Sequence, residues 1–289
     1  MSSPLRRRCR FRPCIDLRGG RVVQIVGGTL RDEAAAAAAA PSAVTNFEAR
    51  EPPAAFARRY ARDALAGGHV IMLGGGDAQE AAAREALAAF PGGLQVGGGV
   101  TAANARSLLD AGAAAVIVTS FVFRDGRVDR DRLAEIEAAA GRERLVLDLS
   151  CRKRRRAAGA EGGAGGEFEY VVVTDRWQTW TDCVVDAALL ADLGAHCAEF
   201  LVHGVDVEGL RQGVEDALVE LLGAHSPVPV TYAGGVRDMA DVERVARLGG
   251  GRVDVSVGSA LDIFGGTFAY EDLVKWNAAA DAADAAAAS

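Results

Sequence analysis

Lysine is almost absent from this 289-residue chain, which contains Lys153 and Lys275 and no other lysine. We place Lys275 in a C-terminal helix and Lys153 in a loop, so neither lies at the end of a predicted strand. Schiff-base chemistry needs a lysine amine inside a barrel or sheet. A lysine-dependent aldolase is therefore excluded in practice.

The sequence also lacks an excess of positive charge, a long apolar run and paired cysteines. Its 39 acidic and 32 basic residues give a net charge of -7, the opposite of the balance expected of a nucleic-acid binder. No run of about eighteen apolar residues occurs, so no segment is predicted to cross a membrane. Five scattered cysteines without a C-x-x-C spacing predict neither a disulfide framework nor a zinc site, and indicate a reducing compartment.

What is present is an alternation of short β-branched runs with Ala-, Arg- and Glu-rich amphipathic stretches. The predicted strands are Arg12–Leu17, Val70–Leu73, Leu94–Val96, Val116–Val118, Leu145–Leu149, Phe200–His203, Val228–Tyr232 and Val253–Val257. The predicted helices are Pro52–Ala66, Ala78–Ala89, Ala102–Ala111, Asp131–Ala140, Asp186–Leu193, Val214–Gly223 and Ala240–Leu248. Alternating elements indicate an α/β fold with a parallel sheet, and eight strands favour a closed (β/α)8 (TIM) barrel over an open sheet.

We predict a single barrel over residues 11–277, with a short N-terminal arm at 1–10 and an Ala-rich tail at 278–289. Two further segments are interpreted as insertions: Asp32–Ser42, which carries a poly-Ala run, and Lys153–Gly166, which is basic and then Gly-rich. The basic cluster could be a nucleic-acid patch, but a flexible solvated loop explains it as well.

The two halves of the chain contain the same motifs in the same order. LQVGGGV at 94–100 is echoed by VTYAGGV at 230–236, VIVTS at 116–120 by VSVGS at 255–259, and CIDL at 14–17 by VLDL at 146–149. The offsets are 132 residues from Asp16 to Asp148, 136 from Gly98 to Gly234 and 139 from Ser120 to Ser259. Three matches at nearly one offset predict a barrel built from two homologous half-barrels.

The repeated glycines and serines follow predicted strands, and the chemistry of a (β/α)8 barrel lies at those carboxyl ends. Glycine there lets the backbone approach a ligand, and the next helix N-terminus offers N–H groups to an anion. The repeat therefore predicts two phosphate sites on opposite sides of the barrel mouth; tight turns alone are the alternative. The predicted phosphate-binding residues are Gly97, Gly98, Gly99, Thr119 and Ser120 in the first half and Gly234, Gly235, Gly258 and Ser259 in the second.

Asp16 and Asp148 end the first and fifth predicted strands, which face each other across an eight-stranded barrel. Each lies in an apolar run, I-D-L or L-D-L, where an unpaired carboxylate is costly to bury. Two opposed carboxylates suit a general acid and a general base acting on a ligand between them. A helix cap or a salt bridge is the alternative for each.

Several segments resemble the phosphoribosylformimino-aminoimidazole-carboxamide ribotide isomerases of histidine biosynthesis, above all the plant and algal type. They are FRPCIDL at 11–17, VQIVGG at 23–28, GHVIMLG at 68–74, GLQVGGGV at 93–100, LDLSCRK at 147–153, VTDRWQ at 173–178, FLVHGVDVEG at 200–209 and VGSALDIFGG at 257–266. The resemblance covers roughly Phe11 to Asn277.

The resemblance implies an Amadori rearrangement, in which an N-linked aminoaldose becomes an aminoketose without a metal or organic cofactor. The implied substrate is a bisphosphorylated ribotide, in agreement with the two predicted phosphate sites. On this chain the resemblance makes Asp16 the base and Asp148 the acid. It places Trp177 in a loop that folds over the substrate and stacks on its imidazole-carboxamide plane. The polar neighbours of Trp177 argue against a core tryptophan.

One departure from the family concerns the segment after the sixth strand. Bacterial relatives carry Thr and then Asp-Gly there, whereas this chain has His203 and then Glu208-Gly209, with Asp206 between them. Glu208 or Asp206 could replace Asp148 as the acid, and His203 could replace the threonine contact.

Two other functions stay open at this point. The sister barrel of the pathway, the cyclase subunit of imidazole glycerol phosphate synthase, shares the half-barrel repeat but needs a glutaminase partner. The VQIVGG segment, the Trp177 loop and the LDIFGG ending resemble the isomerase instead. A non-catalytic phosphosugar-binding barrel would have no need of two opposed carboxylates. A second substrate from tryptophan biosynthesis, used by some bacterial relatives, is a further possibility.

The resemblance favours a monomer and, for a plant or alga, the plastid stroma; otherwise we expect a cytoplasmic protein. Residues 1–12 are Arg-rich and contain no acidic residue, like the end of a transit peptide.

Overall fold

The computed structural model describes residues 8–26, 45–156 and 167–288. The predicted insertion Asp32–Ser42 lies outside these residues. So do residues 157–166, the Gly-rich part of the other predicted insertion, and residues 1–7 of the N-terminal arm.

The strands of the described residues include all eight predicted from the sequence, with ends shifted by a few residues. They are β1 (Cys14–Arg18), β2 (Arg21–Ile25), β3 (Thr45–Glu48), β4 (Gly68–Met72), β5 (Leu94–Gly97), β6 (Val116–Val118), β7 (Phe123–Arg124), β8 (Arg127–Val128), β9 (Leu145–Asp148), β10 (Cys151–Arg155), β11 (Phe168–Thr174), β12 (Thr179–Val184), β13 (Glu199–His203), β14 (Val230–Ala233) and β15 (Val253–Ser256).

Eight of these strands form a closed parallel barrel. Their order in the sheet is β15-β14-β13-β9-β6-β5-β4-β1. Phe11 pairs in parallel with Val255 of β15, and the Arg12 amide donates to the Val255 carbonyl at 2.8 Å. The segment before β1 is thus joined to the last strand, and the predicted (β/α)8 barrel is confirmed.

The helices lie on the connections between these strands and after the last of them. They are α1 (Pro53–Arg62), α2 (Asp77–Ala89), α3 (Ala102–Asp110), α4 (Arg130–Ala140), α5 (Ala187–Gly194), α6 (Asp216–His225), α7 (Met239–Leu248) and α8 (Tyr270–Ala288). Residues 278–288 of the Ala-rich segment are part of α8, where Asp281 and Asp284 accept hydrogen bonds from Arg10 at 2.9 and 2.6 Å. Within the described part of the chain, no helix is both long and apolar enough to cross a membrane.

An apolar layer of the barrel interior lies beneath a polar mouth. Ile117, Val146 and Leu201 form a buried apolar layer with Ile71 packed against it. Because side chains alternate along a strand, the residues two positions after Val146 and Leu201 also face inward. These residues are Asp148 and His203, so the register brings polar side chains to the carboxyl end of the barrel.

Antiparallel pairing was not predicted from the sequence; besides the short hairpin of β7 and β8, it forms two larger additions. β2 pairs with β1, and β3 with β2, so a hairpin extends the first barrel strand. β10, β11 and β12 form a separate three-stranded sheet after the fifth barrel strand. Both additions follow the first strand of a half-barrel, and both carry side chains to the mouth.

The placement of Lys153 in a loop is wrong, because Lys153 lies in β10 opposite Tyr170 of β11. The basic residues of this strand are paired with acidic ones. Arg152 contacts Asp206 at 2.9 Å, Lys153 contacts Glu215 at 3.3 Å, Arg154 contacts Glu169 at 2.7 Å, and Arg155 contacts Glu167. These pairs neutralise the cluster, which weakens its interpretation as a nucleic-acid patch.

Candidate active site

Two cavities open at the mouth of the barrel and share Asp16, His203 and Glu208 in their linings. The larger, of about 930 Å³, lies on the side of the first half-barrel. The smaller, of about 30 Å³, lies on the side of the second. A ligand that extends from one cavity to the other would contact all three shared side chains.

The structure distributes most of the predicted site residues between these cavities. Gly98, Gly99, Thr119, Ser120, Asp148 and Trp177 line the larger cavity. Gly234, Gly235, Gly258 and Ser259 line the smaller one. The two groups of repeated motifs therefore lie on opposite sides of Asp16, His203 and Glu208.

Two predicted residues line neither cavity. Gly97 lies in the barrel wall, where an added Cβ would be 2.9 Å from Ile71 Cδ1. Asp206 is exposed and accepts hydrogen bonds from Arg152 Nε at 2.9 Å and from the Lys153 amide at 2.8 Å. Asp206 is thus engaged on the outer face of β10.

Tight packing is enough to explain two of the repeated glycines. A Cβ at Gly98 would lie 2.1 Å from the Met72 carbonyl oxygen, and one at Gly235 would lie 2.0 Å from that of Gly213. Gly99 differs, because a Cβ there would have no heavy atom within 4 Å. Of these three residues, Gly99 is the one whose backbone adjoins open space.

Asp148 lies at the end of β9 and accepts hydrogen bonds at both carboxylate oxygens. The Ser150 amide and hydroxyl both donate to Oδ1, at 2.7 and 2.5 Å. The Thr119 hydroxyl donates to Oδ2 at 3.0 Å. These three donors hold the carboxylate at the edge of the larger cavity.

Asp16 lies on the opposite side of the barrel, at the end of β1. Burial raises its pKa to about 7, because a low-dielectric surrounding disfavours the ionised carboxylate. The Gln24 amide contacts Asp16 Oδ2 at 3.5 Å, and Gln24 Oε1 accepts from the Ser259 hydroxyl at 3.4 Å. Gln24 therefore links Asp16 to a predicted phosphate-binding residue.

Glu208 is half-buried and lies beside Asp16 in both cavity linings. Burial, together with the negative charge of Asp16, raises its pKa to about 8. Both carboxyls therefore titrate near neutral pH, where a side chain can give and take protons efficiently.

His203 occupies the middle of the mouth, at the end of β13. Its Nδ1 lies 3.0 Å from Ser150 Oγ. Its ring lies 5.5 Å from that of Trp177 and 6.1 Å from that of His69. Burial lowers the pKa of His203, and the negative charge of Asp148 opposes this effect.

Trp177 lies in the turn between β11 and β12. It packs against the cluster of Val23 and Ile25 together with Leu73, and it stays half-buried at the larger cavity. Its position over the mouth agrees with a role against the ligand rather than in the barrel core.

Sequence reasoning missed Ser150 and Gln24 as site residues. Ser150 follows Asp148 by two positions, so strand alternation could have placed it beside Asp148. Gln24 is a single polar residue within an apolar run, V-V-Q-I-V, and it is 2% exposed. A buried amide needs hydrogen-bonding partners, so an isolated Gln within an apolar run was the signal that could have identified Gln24 as a site residue.

Comparison with known proteins identifies relatives over almost the whole chain. The histidine biosynthesis protein family matches residues 10–268. A chloroplastic imidazole-4-carboxamide isomerase of Medicago truncatula, whose name includes two phosphoribosyl groups, is 51% identical over 278 residues, which cover 96% of this chain and 85% of the relative.

Fungal relatives carry the same isomerase name. The Neurospora crassa isomerase is 46% identical over 271 residues, covering 93% of this chain and 98% of the relative. The Saccharomyces cerevisiae isomerase is 38% identical over 274 residues, with the same coverages. These names favour the isomerase over the cyclase and over a non-catalytic barrel. The chain belongs to the histidine biosynthesis protein family and, within it, to the imidazole-4-carboxamide isomerases.

Proposed function

We propose that this chain catalyses the Amadori rearrangement of a bisphosphorylated ribotide in L-histidine biosynthesis, converting the phosphoribosylformimino aldose form to its ribulosyl ketose form. One observation carries the proposal. Asp16 and Asp148 lie on opposite barrel strands at one mouth, where two cavities that share Asp16 are lined by motifs that the half-barrels repeat.

The rearrangement moves two protons by separate routes. On the carbon route, a proton leaves C2 of the ribose and returns to C1. On the oxygen route, the ring oxygen gains a proton as the ring opens, and the 2-hydroxyl loses one as the ketone forms. A catalyst therefore needs a base near the carbons and a second group that first gives and then recovers a proton.

Asp16 suits the carbon route. With a pKa raised to about 7 by burial, it can accept a proton from C2 and return it to C1 at neutral pH. The Gln24 amide at 3.5 Å orients one of its oxygens.

The oxygen route belongs to the opposite side of the mouth, where Asp148 lies with Ser150 and His203. The resemblance to the isomerases makes Asp148 the acid. Glu208 lies next to Asp16 instead, and Asp206 lies outside both cavities.

The two substrate phosphates bind at the repeated motifs. Gly99 and Ser120 receive one phosphate in the larger cavity, and Gly234 and Ser259 receive the other in the smaller one. Backbone N–H groups and hydroxyls are suitable donors to phosphate oxygens.

The proposal is tested by the absorbance change when the purified protein meets the formimino ribotide, with and without the cyclase–glutaminase. We expect conversion by this protein alone, without ammonia. No reaction alone, together with ammonia-dependent product from the ketose form, would show that the chain is the sister cyclase.

Asp16→Asn is expected to lower kcat by about 10²-fold or more, the usual size of a general acid–base contribution, with KM close to wild type. Asp192→Asn makes the same chemical change at a surface carboxylate paired with Arg130 and serves as the matched control. Near-normal turnover by Asp16→Asn would refute the base assignment.

We further propose a monomer located, in a plant or alga, in the plastid stroma. The chloroplastic Medicago relative supports this location. Light scattering and fractionation of source cells test the two statements.

A further inference from the structure

We propose that the His203 imidazole carries the proton of the oxygen route, and that Ser150 is the positioning residue that orients it and links it to Asp148. The inference rests on the proposed isomerase function. In this proposal the group that gives the proton is His203 Nε2 and not the carboxyl of Asp148.

The contacts of Asp148 argue against a proton on that carboxylate. Oδ1 accepts from the amide and the hydroxyl of Ser150, and Oδ2 accepts from the Thr119 hydroxyl. An ionised carboxylate is acceptor-only, and here both oxygens are used in that way. In this arrangement Asp148 supplies negative charge rather than a proton.

The single hydroxyl proton of Ser150 then decides the tautomer of His203. Ser150 is fully buried, and its Oγ contacts both Asp148 Oδ1 at 2.5 Å and His203 Nδ1 at 3.0 Å. Since the hydroxyl proton is donated to Asp148, the Ser150 oxygen must accept from His203. His203 therefore carries its ring proton on Nδ1, and a neutral ring has its lone pair on Nε2.

The surroundings of His203 suit a group that moves protons. Its side chain lines both cavities. His69, its neighbour at 6.1 Å, is buried, and burial followed by repulsion from His203 lowers the pKa of His69 to about 3. His69 is therefore neutral. The negative charge of Asp148 partly offsets the lowering of the His203 pKa by burial, and a lowered pKa makes the imidazolium a ready proton donor.

In the ring-opening step, the His203 imidazolium gives its Nε2 proton to the ribose ring oxygen. The bond between C1 and that oxygen breaks, its electron pair stays on the oxygen, and the amino nitrogen lone pair forms the C=N bond. The products are a protonated Schiff base and a neutral imidazole that still donates Nδ1–H to Ser150. Asp16 then takes the C2 proton, the C–H electron pair forms the C=C bond between C1 and C2, and the C=N pair returns to nitrogen as a lone pair.

In the ketone-forming step, neutral Nε2 takes the proton of the 2-hydroxyl. The O–H electron pair forms the C=O bond, and the C=C pair takes the proton that Asp16 carries at C1. The imidazolium is restored, so Asp16 and His203 each end the reaction in the protonation state in which they began it.

The tautomer is measured by NMR of the full chain labelled with ¹³C and ¹⁵N in histidine. Only four histidines exist, His69, His196, His203 and His225, and His203→Gln assigns the signal by its loss. We expect the Nδ1–H form in the wild type and a shift toward Nε2–H in Ser150→Ala. Thr119→Val, which removes a donor to Asp148 without touching His203, should leave the tautomer unchanged. An Nε2–H ring in the wild type would overturn the inference.

Kinetics of the same variants test the role in the reaction. His203→Gln should lower kcat by about 10²-fold or more, since proton transfer through a side chain contributes about 10²- to 10⁴-fold. Ser150→Ala should lower kcat about tenfold or more with little change in KM, and Ser150→Thr, which keeps the hydroxyl, should restore most of it. Melting curves check that each variant is folded.

The outcomes separate this inference from the proposed function. An inactive wild-type protein would overturn the isomerase assignment whatever the tautomer. An active wild type whose His203→Gln variant keeps near-normal kcat would leave the isomerase in place and refute the role of His203.

Discussion

Asp16 and Glu208 place two carboxyl groups side by side in a partly buried mouth. Burial raises the pKa of Asp16 to about 7 and, together with the charge of Asp16, that of Glu208 to about 8. Carboxyls with raised pKa values stabilise the folded state only while they are protonated. Their contribution is complete below their unfolded pKa values and is lost as the pH rises through the folded ones.

Replacement of Glu208 by Gln is therefore expected to stabilise the protein at pH 8, by about 1 to 3 kcal/mol in the free energy of unfolding. At pH 4 the two proteins should be nearly equally stable, because Glu208 is then protonated in both states. Urea unfolding at the two pH values measures the difference.

The control for this effect is Glu220→Gln on an exposed position of α6, which should show no such pH dependence. An equal gain at both pH values, or a loss at pH 8, would mean that the charge of Glu208 is not what costs stability.

At the scale of elements, the turn between β11 and β12 has an unusual backbone. Asp175, Arg176 and Trp177 have φ angles of +50°, +58° and +64°, a left-handed conformation that L-residues seldom adopt in succession. The Asp175 amide donates to Ser120 Oγ at 3.0 Å. The turn that carries Trp177 is thus tied to a residue predicted to bind phosphate.

This link predicts that ligand binding changes the surroundings of Trp177. The fluorescence of the Asp16→Asn variant, which binds the formimino ribotide with little turnover, should change as the ribotide is added. The chain contains Trp177, Trp180 and Trp276. Trp180→Phe in that background should keep the signal, and Trp177→Phe should lose it. A flat titration at saturating ribotide would contradict closure of the turn over the ligand.

For the whole molecule, the repeat predicts that both halves of the mouth hold a phosphate. Ser120→Asp and Ser259→Asp each place a carboxylate where a phosphate is proposed to bind. Each should raise KM about tenfold or more, since like charges at close range repel by at least about 1 kcal/mol.

Ser107→Asp, at an exposed position of α3, adds the same charge away from the mouth and should leave KM unchanged. If neither Ser120→Asp nor Ser259→Asp raises KM, the model of two phosphate sites is wrong.

The eight barrel strands could be predicted because each is a short apolar run and amphipathic helices alternate with most of them. The added hairpins lack this pattern. β3 and β10 have mostly exposed or half-buried side chains, so no apolar periodicity marks them as strands. They form because a neighbouring strand offers hydrogen-bonding partners. Since no apolar pattern marks β10 in the sequence, Lys153 was wrongly placed in a loop.

The sequence by itself determined the barrel, its two half-barrels, the family and the opposition of Asp16 and Asp148, since all of these depend on periodic patterns and motifs along the chain. Only the tertiary structure decided which polar groups meet. Ser150 reaches His203 across 53 positions, and Ser259 reaches Gln24 across 235. These contacts exist because closure of the barrel brings distant strand ends to one mouth, where burial and neighbouring charges then set the pKa of each side chain.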